Sequence, residues 1–317
     1  PKSVVASPDG SLVVAQNMIY THTVTVYDRR LRLRATIGDA VRPSRFGYPQ
    51  YPGVYRGGPV EAAFMPDGRH VWVSNYSMYG PSLTHPGDDV CSPGSGIDPS
   101  FVYRIDLRTF RIDRIVRVGS VPKFLAVTPD GRRLLVSNWC SYTLSVVDLA
   151  RNREVRQVPL GAYPRGIAVT RRSRIAYVAV MGSTDVARVD LRRFTVTWLR
   201  GVGSAPRHLV LSPDGRFLYT TLNGEGAVVK VETATGRVVA RASTGSQPRS
   251  MVGTPSGRYL YVVNYASGTV SRVRTSDMAV NQTLGVGDHP IGITYDAGTR
   301  RVWVALYGGL IRILRDR

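Results

Sequence analysis

Apolar and polar positions along this chain follow short strand-like rhythms rather than helical ones. From His208 the pattern can be read segment by segment. His208–Ser212 is a brief apolar stretch, Phe217–Leu222 is apolar on both faces, Ala227–Glu232 follows, and Arg237–Ser243 alternates apolar with polar. Continuous short apolar runs mark strands buried on both faces, and alternating runs mark strands buried on one. The segments between them are turn chemistry. In Pro213-Asp214-Gly215, Pro presets φ and Gly supplies a positive φ. Asn223-Gly224-Glu225-Gly226 and Thr233–Gly236 turn the chain twice more. No segment carries an apolar stripe of period 3.6 over the length of a helix.

This four-strand unit recurs. Its copies start at Pro1, Pro59, Pro122, Pro164, Pro206, Pro248 and Pro290, and from Pro122 onward the period is 42 residues. Seven such units predict an all-β fold, a seven-bladed β-propeller with four-stranded blades, in which residues 1–317 form a single domain. The first two units are longer, at 58 and 63 residues. The extra chain falls at 39–56, between blades one and two, and at 78–99, between strands two and three of blade two. The last unit ends on a third strand, Leu310–Arg315. The final blade is therefore expected to be three-stranded in this chain, or to be closed by residues preceding Pro1. Arg312 and Arg315 would discourage pairing at that edge.

The repeat reads Pro129-Asp130-Gly131, then Leu135-Val136-Ser137-Asn138, then Thr143-Leu144-Ser145-Val146-Val147-Asp148, Gly161 and Pro164-Arg165. In this it resembles the YVTN repeats of YncE-like and surface-layer-type seven-bladed propellers. The resemblance covers the whole chain and implies the fold. It implies little about function, because such folds host binding, scaffolding and catalysis alike.

In a propeller, loops joining strands two and three share one face with the connections between blades, and the Pro-Asp-Gly turns lie on the other. Both long insertions therefore belong to one working face, on neighbouring blades, where function concentrates. The first contains Phe46, Tyr48, Tyr51 and Tyr55. The second contains Tyr79, His85, Asp88, Asp89, Cys91 and Asp98. Cys140 lies just past strand two of blade three, on the same face, so a Cys91–Cys140 disulfide is expected to tie the second insertion down. Such a bond implies an oxidising compartment, and hence a secreted or cell-envelope location.

One residue after the repeat prolines stand Lys2, Lys123, Arg165, Arg207 and Arg249, with Val60 and Ile291 completing the series. Sixteen residues after them stand Asn17, Asn75, Asn138 and Asn264, and at the next position Tyr76, Trp139, Tyr265 and Tyr307. A basic rim, amides and aromatic faces are thus expected around one channel mouth, suited to an anion. The alternative is structural: basic side chains on strand-end carbonyls, and asparagines satisfying turn backbone. His22, His85, His208 and His289 map to the same face and His70 to the other, but no spacing among them is that of a metal site. Asp88, Asp89 and Asp98 match no calcium loop.

Composition narrows the classes further. With 43% hydrophobic residues the chain is not disordered, and no run is long enough for a membrane helix. Two cysteines exclude a disulfide scaffold. The formal net charge is +20, and of 42 basic residues only Lys2, Lys123 and Lys230 are lysine. The functional reading is a non-catalytic binding or scaffold propeller, expected to be a monomer with no cofactor or metal, whose basic mouth takes an anionic small molecule, polymer or protein. Two alternatives stand beside it. Pro206-Arg207-His208 with Tyr219, Asn223 and Glu225 resembles a stretch of propeller lactonases related to 6-phosphogluconolactonase. That likeness implies lactone hydrolysis, or lyase chemistry, with Arg207 binding substrate and His208 and Glu225 as catalytic candidates. YncE-like proteins are also associated with single-stranded nucleic acid, which a basic groove interleaved with aromatics would suit.

Overall fold

The computed structural model describes residues 1–316. They form seven antiparallel sheets, six of four strands in chain order and a last one of three. The innermost strands are Ser3–Ala6, Arg56–Phe64, Pro122–Val127, Pro164–Val169, Pro206–Leu211, Pro248–Gly253 and Pro290–Asp296. Each packs against the next, and Ser3–Ala6 meets Pro290–Asp296 to close the ring. This is a seven-bladed β-propeller with a three-stranded final blade. Among the described residues the only helical turns are two short 3-10 segments, Pro43–Phe46 and Pro93–Ser95, and no helix is long and apolar enough to cross a membrane.

The core lies between blades. Leu135, Leu144 and Val146 of blade three pack on Ile167, Val178 and Val189 of blade four, and similar layers repeat around the ring. Each fully buried large aliphatic contributes about 1.5–3 kcal/mol. The second strands supply most of this, which is why their sequences are apolar on both faces. The fourth strands, such as Val238–Ser243, are largely exposed and alternate.

On the plain face the turns follow the expected chemistry. Gly131 sits at φ +68° and the Asp130 carboxylate accepts the Arg132 amide N–H at 3.1 Å. Asp9, Asp67 and Asp214 cap the amides of Ser11, Arg69 and Arg216 in the same way. Blade four departs from this pattern: the turn there is Thr170-Arg171-Arg172-Ser173, with Ser173 at φ +55°.

On the other face, Val41 and Tyr55 exchange backbone hydrogen bonds of 2.8 Å and close the first long connection on itself. Its aromatic residues are used for packing. Tyr55 is fully buried, and Tyr48 and Tyr51 meet the edge of Phe101. The second strand of blade two runs His70–Tyr79, and the insertion after it is covalently tied to blade three by Cys91–Cys140 (Cα–Cα 5.3 Å).

Candidate anion site at the channel mouth

A local irregularity builds the site. In blades two to seven the pairing register shifts just after the repeat proline, a bulge that re-aims the next side chain. The residue before the proline sits in the left-handed region in five blades: Val121, Tyr163, Ala205, Gln247 and His289, at φ between 52° and 61°. Their carbonyls accept the amide N–H groups of Trp139, Met181, Asn223, Tyr265 and Tyr307, one residue past each second strand. In each of these five blades the residue that follows the second strand is thus placed by main-chain bonding.

Lys2, Lys123, Arg165 and Arg207 are buried and Arg249 is half-buried. They converge: burial, then the charges of Arg165, Arg207, Lys123 and Arg249, hold the Lys2 ammonium well below its ordinary value. Burial and Arg165 bring Lys123 down to about 7, against the opposing pull of Asp89. Burial and Arg165 bring Arg249 down to about 10. Soft faces line the ring. Lys123 Nζ lies 4.3 Å from the Tyr76 ring centroid and 5.1 Å from that of Trp139. The Arg249 guanidinium lies 3.4 Å from Tyr265, Lys2 Nζ 5.4 Å from Tyr307, and Arg207 Nη1 3.6 Å from Met181 Sδ. Arg249 Nε is buried without an acceptor.

Two carboxylates face these five cations, and the sequence reading singled out neither for this role. Glu61, two residues after Pro59, is buried in the ring. Burial pushes its carboxyl up, against the Ser3 hydroxyl and the charges of Arg165, Lys2 and Arg207. Its register matches Phe124 and His208, which is the signal that would have found it. Asp89 arrives from the second insertion, two residues from Cys91. Its carboxylate pairs with Lys123 and accepts the Tyr76 hydroxyl at 3.1 Å, while its carbonyl accepts the Trp139 indole N–H at 2.9 Å. The Asp89 side chain remains 71% exposed and that of Lys123 only 6%, so the carboxylate lies over the mouth.

Other candidates are placed differently. The asparagines turn to the third strands or to backbone: Asn138 Nδ2 donates to Thr143 and Ser145, Asn264 to Thr269 and Ser271, Asn17 to Thr23 and Thr25, and Asn75 to the Phe101 carbonyl. His208 meets Phe124 of blade three across the channel, with ring centroids 5.1 Å apart. Protein surrounds it although part of its surface opens to the channel. Burial, then Arg165 and Arg207, lower its imidazole to about 3. Glu225 is held elsewhere, by the Ser204 amide and by Arg241 at 2.5 Å. His22 faces Asp39 at 3.6 Å, the His289 ring lies tilted by 44° against Tyr265, and His85 contacts Thr84. Asp98 accepts the His85 amide and Asp88 the Val90 amide. On the other face His70, Asp106 and Asp113 come together, but Arg69 binds Asp106 and Arg104 binds Asp113.

Comparison with known proteins agrees with the architecture. The family model described as "Lactonase, 7-bladed beta-propeller" matches residues 148–279. Among solved structures, one described as Kuenenia stuttgartiensis Hydrazine Synthase superposes with a TM-score of 0.78 at 18% identity, over 100% of this chain and 95% of that one. At that identity the likeness is one of fold. No curated protein matches the sequence.

Proposed function

We propose that the chain is a binding propeller whose channel mouth takes an anion, a carboxylate or phosphate borne by a small molecule, polymer or protein, without turning it over. The observation that carries this reading is the ring of five cations faced, among the described residues, by the carboxylates of Glu61 and Asp89, with Arg249 Nε lacking an acceptor. Buried cations of one sign are costly, and a charge-assisted anion offsets that cost. Lys2, Lys123, Arg165, Arg207, Arg249, Tyr76, Trp139, Tyr265 and Tyr307 would form the site. The His208 imidazole, lowered to about 3 by burial and by Arg165 and Arg207, and Glu225, held by the Ser204 amide and Arg241, are not in contact as an acid–base pair, which supports binding over turnover at these two candidates. The disulfide supports an extracytoplasmic location. The repeat signature supports a place among the YVTN propellers, acting as a monomer.

The lactonase family match favours a second reading, lactone hydrolysis at the same mouth. Titration calorimetry with citrate and with pyrophosphate, run beside a lactone-opening assay, decides between them. Binding that is lost in the Arg165→Met/Arg207→Met variant, with no lactone turnover, is the expected result. Turnover that His208→Ala abolishes would install the second reading, and absence of any anion binding would overturn the first.

A further inference from the structure

We propose that the plain face, opposite the mouth, carries a docking surface for an acidic peptide segment, centred on the blade-four turn. The starting point is a local rule broken three times at once. Where blade three has Pro129-Asp130-Gly131, blade four has Arg171-Arg172-Ser173. The proline that presets φ is gone. So is the aspartate that caps the following amide in blades one, two, three and five. A serine takes the left-handed position, at φ +55°, where Gly10, Gly68, Gly131 and Gly215 stand in those blades. Sites where a sequence forgoes local consistency are where function is expected. Blade seven also departs from the turn, with Ala297-Gly298-Thr299, but what blade four gains is positive charge: exposed Arg171 and Arg172 join the exposed Arg174, whose position is arginine in blades two to seven.

Those arginines rim two adjoining cavities, of about 650 and 340 Å3, that share Arg172 and Arg174. Together the linings hold seven arginines against three aspartates. Each aspartate is committed to its own turn. Asp130 accepts from Thr128 and the Arg132 amide, Asp190 from the Arg192 and Arg193 amides, and Asp214 from Ser212 and the Arg216 amide. Among the described residues Arg171, Arg172 and Arg174 form no ion pair. The charge is therefore available to a partner.

The floor decides the partner's class. Val169, Ile175 and Leu211 line the larger cavity and no aromatic side chain lines either one. Single-stranded nucleic acid binds through bases stacked on aromatics, which this surface lacks. A peptide with glutamates or aspartates around an apolar anchor matches both the arginine rim and the aliphatic floor.

The test restores the common turn with Arg171→Pro/Arg172→Asp/Ser173→Gly. The Arg171 amide makes no backbone hydrogen bond, so proline fits, and the Ser173 hydroxyl gives up one bond, from the Asp130 amide. The variant is expected to melt no lower than the parent. Fluorescence anisotropy at about 150 mM salt compares a labelled (Glu-Glu-Leu)4 peptide with an oligothymidylate of equal charge. The parent should bind the peptide, and the restored turn should weaken it tenfold or more. A charge-matched control on outer strands, Arg117→Ser/Arg156→Asp, should leave it within twofold. Equal loss in the control would reduce the effect to general basicity and overturn the proposal. So would tighter binding of the oligothymidylate, or unchanged peptide binding by the restored turn.

Discussion

The Val121 carbonyl accepts the Trp139 amide N–H at 2.9 Å, although Val121 is β-branched and sits at φ +53° to offer it. A left-handed conformation costs a non-glycine residue roughly 1–2 kcal/mol. Five blades accept that cost at the same place, and in four of them the residue so fixed, Trp139, Met181, Tyr265 or Tyr307, lies against a cation of the ring.

Ala205 is the cleanest place to measure this strain, since its side chain is small and only partly buried. Ala205→Gly should raise stability by roughly 0.5–1 kcal/mol, because glycine adopts positive φ without penalty. Denaturant unfolding reads the change. A loss of stability would mean that the conformation stores no strain.

Removing a ring cation should help the free protein and harm its binding. Arg165 lowers the pKa of Lys2, Lys123 and Arg249 by its charge. Arg165→Met is expected to stabilise, by about 1 kcal/mol, because it removes a buried charge of the majority sign and still leaves Lys2 and Arg207 facing Glu61. Added citrate, which should raise the melting temperature of the parent, should no longer do so. A less stable variant would show the ring to be balanced internally.

The pH dependence follows from Lys123, whose value of about 7 lies well below that of an ordinary lysine. The groups facing it are Asp89, Arg165 and Arg207, with Tyr76 kept neutral by burial and Asp89. A bound anion favours the ammonium, so binding above pH 7 takes up a proton. Affinity should be highest below pH 7 and fall above it, by up to tenfold per unit. For stability the sign is opposite. Between about pH 7 and 10 the unfolded lysine holds a proton that the folded one has lost, so this group's contribution rises with pH across that window. Calorimetry in two buffers of different ionisation heat measures the proton uptake, and Lys123→Met should abolish it. Equal affinity from pH 6 to 9 would refute the linkage.

The ring of blades was legible because every blade solves the same packing problem, four of them with a unit of 42 residues, and the repeat proline marks each solution. The Cys91–Cys140 bond was legible because propeller connectivity puts both residues on one face of adjacent blades. Side-chain direction was harder to read. Asn138 and Asn264 share a repeat position with Leu222, and only the pleat decides that they face the third strand. The bulge after each proline, invisible in a pattern of period two, turns Arg165 and Arg207 toward the axis and places Glu61 among them. Asp89 belongs to no repeat, and its meeting with Lys123 depends on how the insertion folds back. His208 is a catalytic candidate by the resemblance of its sequence neighbours, and its edge contact with Phe124, two blades away, has no trace in the sequence pattern.

A closed circle of wedges can fail only by parting two neighbours. The seam between blades two and three is crossed by the covalent link from Cys91 to Cys140. The seam between blades seven and one is held by weaker bonds, including the Ala6 amide to Thr294 at 3.1 Å and Arg301 to the Arg29 carbonyl at 3.0 Å. Rupture by heat or pulling is thereby steered away from the stapled boundary. A ring that gapes elsewhere still keeps Tyr76, Asp89, Lys123 and Trp139 together, so this quarter of the mouth is the last to lose its shape.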